Sequence, residues 1–231
     1  MSRRPAPAPG PVYAIADVRR LGAASVPDAV QAMARGGATW VQLRAKDALA
    51  DVDLFELAGE CRRRLRRMPD GGAELWINDR ADIAALLPGT HLHLGQDDLP
   101  PAAARKVVGP GRWIGRSTHD EAQIADAERD PEVDVVAFGP IFSTSSKADA
   151  ESVVGLAGLR RARAATTKPL VAIGGIDGST LGRVLAAGAD TAAVIGALRP
   201  ETMEEDCREL VAAAKHDLMK SMKSMREGGE G

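Results

Sequence analysis

Glu74-Leu-Trp-Ile-Asn-Asp-Arg-Ala-Asp-Ile-Ala-Ala-Leu-Leu-Pro-Gly-Thr-His-Leu-His-Leu-Gly-Gln-Asp-Asp98 reads as strand, short helix, strand. Glu74 to Asn78 and His91 to Leu94 are short apolar runs of the kind buried on both faces, and Ala81 to Leu86 between them is helical. Strands joined by a helix run parallel. Each strand ends in carboxylates, Asp79 after the first and Asp97-Asp98 after the second, so neighbouring strands would bring acid groups to one point. Mg²⁺ suits that arrangement, because it takes one or two protein carboxylates and leaves its other positions to water and phosphate. Two plainer readings stand beside it: Asp79 paired with Arg80, and Asp97 or Asp98 capping the helix that starts at Pro100.

The same unit recurs along the chain. Strands are expected at Val12 to Ala16, Trp40 to Arg44, Trp113 to Ser117, Val133 to Phe138, Leu170 to Ile173 and Thr191 to Ile195. A helical pattern follows Asp17 to Gly36-Gly37, and others cover Leu54 to Arg67, Pro101 to Val107, Asp120 to Glu128 and Leu156 to Ala165. Two more start near Ser179 and Glu201, the last running to Met219. Eight alternating units predict the α/β class and a single (β/α)8 TIM barrel over residues 12–214, with a doubly wound open sheet as runner-up. Residues 1–11 read as a disordered, proline-stiffened tail without the apolar region of a secretory signal. Residues 215–231, with Met219, Met222 and Met225 between lysines, read as a frayed helix or disordered extension.

The 231 residues are 45% hydrophobic and 27% charged with a formal net charge of −2, enough for one large core and without the basic excess that suggests nucleic acid. No run approaches the ~18 apolar residues of a membrane span. Cys61 and Cys207 fall in helices without metal-ligand spacing, which predicts ordinary thiols in a reducing cytosol and hence a cytoplasmic protein. The partners expected are small phosphorylated molecules, neither nucleic acid nor membrane, with homo-oligomerisation left open.

In such a barrel chemistry sits at the C-terminal strand ends. Those positions hold Gln42, Arg44 and Lys46; Asn78 and Asp79; Gln96, Asp97 and Asp98; Ser117, Thr118 and His119; Thr144, Ser146 and Lys147; Gly174 and Gly175; and Gly196. Alternation puts Gln42, Arg44 and Lys46 on one side of an extended segment, where the cations can grip phosphate; a solvated surface ion pair is the bland alternative. The Ser143 to Lys147 loop offers hydroxyls and a cation for phosphate or carboxylate, or is a polar connector. Glycines after the last two strands let backbone N–H groups reach a phosphate, unless they serve only the turns. His91, His93 and His119 lack the dense ligand set of a zinc site, while His119 at a strand end is a candidate general acid or base.

Together these motifs resemble the thiamine phosphate synthase family, a relative of the thiazole tautomerases. The likeness runs from Tyr13 to about Leu198: a strand ending in Asp17, Gln42-Leu-Arg-Ala-Lys46, Asn78-Asp-Arg80, His93-Leu-Gly-Gln-Asp-Asp98, Gly115-Arg-Ser-Thr-His119, Gly139-Pro-Ile-Phe-Ser-Thr-Ser-Ser-Lys147 and Ala172-Ile-Gly-Gly-Ile176. It implies a barrel transferase that joins hydroxymethylpyrimidine diphosphate to hydroxyethylthiazole phosphate, giving thiamine phosphate and pyrophosphate. It further implies that Gln42, Arg44, Lys46, Asn78, Ser117 and Lys147 hold the pyrimidine diphosphate, with Arg44, Lys46, Ser117 and Lys147 the catalytic set. Asp79 and Asp98 would bind Mg²⁺, and Thr144, Ser146, Gly175, Ile195 and Gly196 the thiazole phosphate. Three positions depart from the family pattern: Ser143 stands for proline, Ser146 for threonine and Gly196 for serine. The competing readings are a thiazole tautomerase, since Gly115 to His119 also resembles its catalytic segment, and a non-catalytic phosphate-binding barrel.

Overall fold

The computed structural model describes residues 8–69, 72–144 and 152–227. Eight parallel strands close on themselves in sequence order, β1 Val12–Asp17, β2 Trp40–Arg44, β3 Glu74–Asn78, β4 Thr90–Leu94, β5 Ile114–Thr118, β6 Val135–Phe138, β7 Leu170–Ile173 and β8 Thr191–Val194. β1 pairs with both β2 and β8, which removes the open-sheet alternative. Around them lie α1 Val18–Leu21, α2 Val26–Arg35, α3 Asp51–Arg66, α4 Ala81–Leu86, α5 Pro101–Val108, α6 Glu121–Arg129, α7 Gly155–Ala165, α8 Leu181–Ala186 and α9 Met203–Glu227.

The two apolar layers explain why the strands read as continuous hydrophobic runs. Outward residues such as Val41, Leu75, Leu92 and Val136 pack against the helices. Inward residues Tyr13, Ile15, Trp40, Trp76, Trp113, Val135, Val171 and Ala193 fill the barrel. The single tyrosine and all three tryptophans of the chain therefore stand inside the barrel. They touch in series, Tyr13 edge-on to Trp40 at 5.5 Å, Trp40 to Trp76 at 4.9 Å, and His91 stacked on Trp113 at 3.9 Å. Such pairs add about 0.5–1.5 kcal/mol each beyond area burial.

Departures from the expected element limits have local causes. The helix expected after Asp17 breaks at Gly22, whose φ of 75° is outside helical space, and resumes at Val26 with Pro27 in its first turn. β6 starts at Val135, because Val133 N–H bonds Asp130 O and the Asp134 carboxylate accepts from Ile114 N–H and Arg105. Gly10 and Pro11, placed in the tail by composition, are tied to the barrel: Gly10 N–H donates to Thr39 Oγ1 at 2.6 Å and Ala192 N–H to Pro11 O at 3.1 Å. The C-terminal residues 215–227 continue α9. Among the described residues no helix is long and apolar enough to cross a membrane.

Candidate active site

A cavity of about 630 Å³ opens at the C-terminal ends of the strands, and its wall descends through Ile15 to Tyr13. Strand register brings the rim residues together. Asp17 lies opposite Arg44 across β1 and β2, and Asn78 opposite His93 across β3 and β4. Gln42, Arg44 and Lys46 line the cavity with Asn78, Asp79 and Ser117.

Below the rim, Gln42 is 3% exposed and its amide donates to the Tyr13 hydroxyl at 2.8 Å. That bond turns the amide oxygen away from Tyr13, and burial pushes the Tyr13 phenol well above its ordinary pKa. Arg44 pairs with the Asp17 carboxylate, whose other oxygen caps α1. The Asn78 side-chain N–H group is buried with no hydrogen-bond partner in the protein, a donor left for a ligand. Ser117 Oγ lies 3.0 Å from His93 Nε2.

Lys46 and Asp79 are the two non-glycine residues with positive φ among the described residues, at 47° and 64°. Such backbone costs of order 1–3 kcal/mol and persists where the surroundings enforce it. Here both side chains are turned over the rim, and Lys46 Nζ reaches Asp79 Oδ2 at 3.0 Å. Asp98 approaches from the next loop, its carboxyl lying beside that of Asp79 and accepting from Gly95 N–H at 2.6 Å. Burial and then the Asp98 carboxyl beside it raise the Asp79 pKa to about 6, against the pull of Lys46. Arg116 fastens this loop, donating to Gly95 O at 2.6 Å and Gln96 O at 3.2 Å.

Both plain readings of the aspartates fail on geometry. Arg80 pairs with Asp51 and Asp82 instead of Asp79. The N-terminus of α5 has Pro100 in the cap position without a side-chain cap, and Asp97 is exposed while Asp98 turns toward Asp79. Two hard-oxygen donors side by side, Asp79 on the cavity wall and Asp98 next to it, fit Mg²⁺, which needs no larger protein ligand set. The histidines do not converge: His91 faces Glu74, His93 faces Ser117 and His119 Nδ1 lies 2.8 Å from Gly139 O.

The opposite rim is backbone-rich. The segment after β6 runs beside β7, with Ile141 N–H on Ile173 O and Phe142 N–H on Gly174 O. This close approach explains Gly175, with φ 61°, where a Cβ would stand 2.4 Å from Ser143 O. Gly196 differs: its φ is not positive and a Cβ there would meet nothing within 4 Å. Thr144, Gly175, Ile195 and Gly196 line the cavity, while Ser146 and Lys147 lie outside the described residues.

Tyr13, His93 and Asp177 also face the cavity and were not singled out as binding residues from sequence. Tyr13 and His93 sit two or four positions inside strand ends, in phase with Asp17 and Gly95, so alternation could have found them. Asp177 had a turn signature, Asp-x-Ser-Thr. Its carboxylate accepts from Ser179 and Thr180, which lowers its pKa. Cys61 and Cys207 are buried on helices away from the rim, and burial raises their thiol pKa values to about 12 and 11.

A family model described as thiamine monophosphate synthase matches residues 12–198. Thiamine-phosphate synthase of Moorella thermoacetica is 41% identical over 210 residues, covering 88% of this chain and 97% of that protein. The enzyme of the same name from Koribacter versatilis is 42% identical, covering 81% and 88%. Among solved structures, thiamine phosphate pyrophosphorylase from Pyrococcus furiosus superposes with a TM-score of 0.79 at 29% identity, over 90% of this chain and 96% of that one.

Proposed function

The chain belongs to the thiamine monophosphate synthase family, transferases that join a pyrimidine to a thiazole, and on that premise we propose how its own residues carry the reaction. The substrates are hydroxymethylpyrimidine diphosphate and hydroxyethylthiazole phosphate, and the products thiamine phosphate and pyrophosphate. The observation that carries this reading is the Lys46–Asp79 pair, held on left-handed backbone and lining the cavity, with the Asp98 carboxyl beside Asp79.

Gln42, held by Tyr13, and Asn78, with its spare buried donor, receive the pyrimidine deep in the barrel. Arg44 and Lys46 hold the diphosphate, joined by Ser117 and by Lys147 from the segment outside the described residues. Asp79 and Asp98 would hold Mg²⁺, which when bound supplies positive charge to the departing pyrophosphate. Preorganised cations stabilise the charge that gathers on the diphosphate as the C–O bond breaks. The electron-rich pyrimidine carries the cation left behind, and the thiazole nitrogen attacks it. Ile15, Ile173 and Ile195 give the cavity an apolar wall that keeps water from that cation. Thr144, Ser146 and the backbone at Gly175 and Gly196 hold the thiazole phosphate. No protein nucleophile is required.

The test is to incubate the protein with both substrates and Mg²⁺ and to follow thiamine phosphate and pyrophosphate, expected in equal amounts. Absence of both products, together with isomerisation of a thiazole carboxylate abolished by His119→Ala, would replace this reading with the tautomerase.

A further inference from the structure

Gly196 in the turn after β8 offers no side chain, so any phosphate grip there depends on which way its peptide planes face. In a trans peptide the C=O and the following N–H point in opposite directions. Arg20 Nη1 donates to Ile195 O at 2.7 Å, and Arg20 Nη2 lies 3.5 Å from Gly196 O. Drawing those two carbonyls toward Arg20 turns the N–H groups of Gly196 and Ala197 the other way, and both residues line the cavity. Among the described residues neither amide donates to a protein carbonyl.

Arg20 itself is placed with care for an exposed side chain. Asp17 caps α1 by accepting from Arg19 N–H at 2.9 Å and Arg20 N–H at 3.2 Å, and its second oxygen pairs with Arg44. One buried carboxylate thus anchors Arg44 on the diphosphate side of the cavity and the short helix from which Arg20 reaches the β8 turn. Ile195 O also accepts from Leu198 N–H at 3.3 Å, which closes the turn, whereas among the described residues Gly196 O has Arg20 as its donor; without Arg20 the Gly196–Ala197 peptide exchanges between orientations, and binding weakens by the fraction that is competent.

We propose that Arg20 is a positioning residue for the thiazole phosphate, fixing the β8 turn so that the Gly196 and Ala197 amides face the phosphate. The inference rests on the function proposed above. Its test compares wild type with Arg20→Met, which keeps the stem but removes the donors, and with Arg20→Lys, which restores one. Arg20→Met is expected to raise KM for thiazole phosphate about tenfold, the worth of one hydrogen bond to a charged group. KM for the pyrimidine diphosphate and kcat at saturating thiazole phosphate should stay within about twofold, with Arg20→Lys in between. A purely structural role would move both KM values together, and that result, or an unchanged thiazole phosphate KM, overturns the proposal. A second readout does not need turnover: inorganic phosphate titrated into ¹⁵N-labelled protein should shift the Gly196 and Ala197 amides at about tenfold lower concentration in wild type than in Arg20→Met. Equal titration in both overturns it. Wild type that makes no thiamine phosphate refutes the proposed function instead, and the phosphate titration still decides the role of Arg20.

Discussion

Gly196→Ser, with Gly175→Ala as its contrast, separates a glycine required by the backbone from one that is not. At Gly196 an added Cβ has nothing within 4 Å and φ is not in the left-handed region, so serine should leave stability unchanged within about 0.5 kcal/mol. Its hydroxyl would join the backbone donors already at the cavity wall. A hydrogen bond to a charged group contributes about 1.5–3 kcal/mol, and fixing the serine rotamer takes back part of that. The net expectation is a KM for thiazole phosphate lower by about tenfold, with the KM for the pyrimidine diphosphate unmoved. Gly175→Ala meets the reverse situation, a φ of 61° and an approach of 2.4 Å to Ser143 O. The left-handed backbone alone costs roughly 1–2 kcal/mol, and relief of the contact must displace the Ser143 to Thr144 segment. That predicts a Tm lower by roughly 4–8 °C and weaker thiazole phosphate binding. Steady-state kinetics in each substrate and thermal melts of the three proteins give the answer. A Gly196→Ser protein that melts several degrees lower, or whose thiazole phosphate KM rises, would refute the argument that position 196 is sterically open and faces the phosphate.

Two further outcomes follow from contacts away from the rim and at the cavity floor. Asp206 accepts from Arg199 N–H at 2.7 Å and from Thr202 at 3.1 Å, and its hydrogen-bonded Arg199 holds its pKa down to about 2. Because the folded pKa lies below the unfolded one, this carboxylate stabilises above about pH 4 and its contribution fades as pH falls toward 2. Asp206→Ala should therefore cost about 1 kcal/mol at pH 7, discounted for the exposed Arg199, and chemical denaturation should find the gap closing near pH 2. Tyr13→Phe leaves the Gln42 amide without its partner in a buried site, which should cost about 1–3 kcal/mol. It should also raise KM for the pyrimidine diphosphate more than that for thiazole phosphate; equal changes in both would contradict the place given to Gln42.

Much of the barrel was legible because its strands are short apolar runs at regular separation. Trp40–Arg44, Glu74–Asn78 and Leu170–Ile173 fall where periodicity puts them. The misses were at points decided by single backbone angles or by distant partners. Gly22 breaks the first helix through its positive φ, and the Asp134 carboxylate leaves β6 to accept from Ile114 N–H at the start of β5. The same holds at the rim. Sequence spacing could bring Asp79 near Asp97 or Asp98 but could not choose between adjacent residues in a turn; the choice of Asp98 came from the family resemblance, and the folded loop turns that carboxylate inward onto Gly95 N–H. Nor could it foresee that Lys46 and Asp79 take left-handed backbone to face each other. Arg20 was invisible for a simpler reason: its partners lie 175 and 176 residues away along the chain.

The central claim is that Asp79 and Asp98 together hold the metal that serves the diphosphate. Asp98→Asn keeps an oxygen for Gly95 N–H, so the loop should hold while the charge is lost. The rate of thiamine phosphate formation as a function of Mg²⁺ concentration, in wild type and in Asp98→Asn, measures this directly. The account predicts no product from wild type in EDTA, and an Asp98→Asn enzyme that folds normally but loses about 10²-fold or more in rate at equal Mg²⁺. Product formed at an unchanged rate in EDTA, or an Asp98→Asn enzyme with the wild-type response to Mg²⁺, would contradict it.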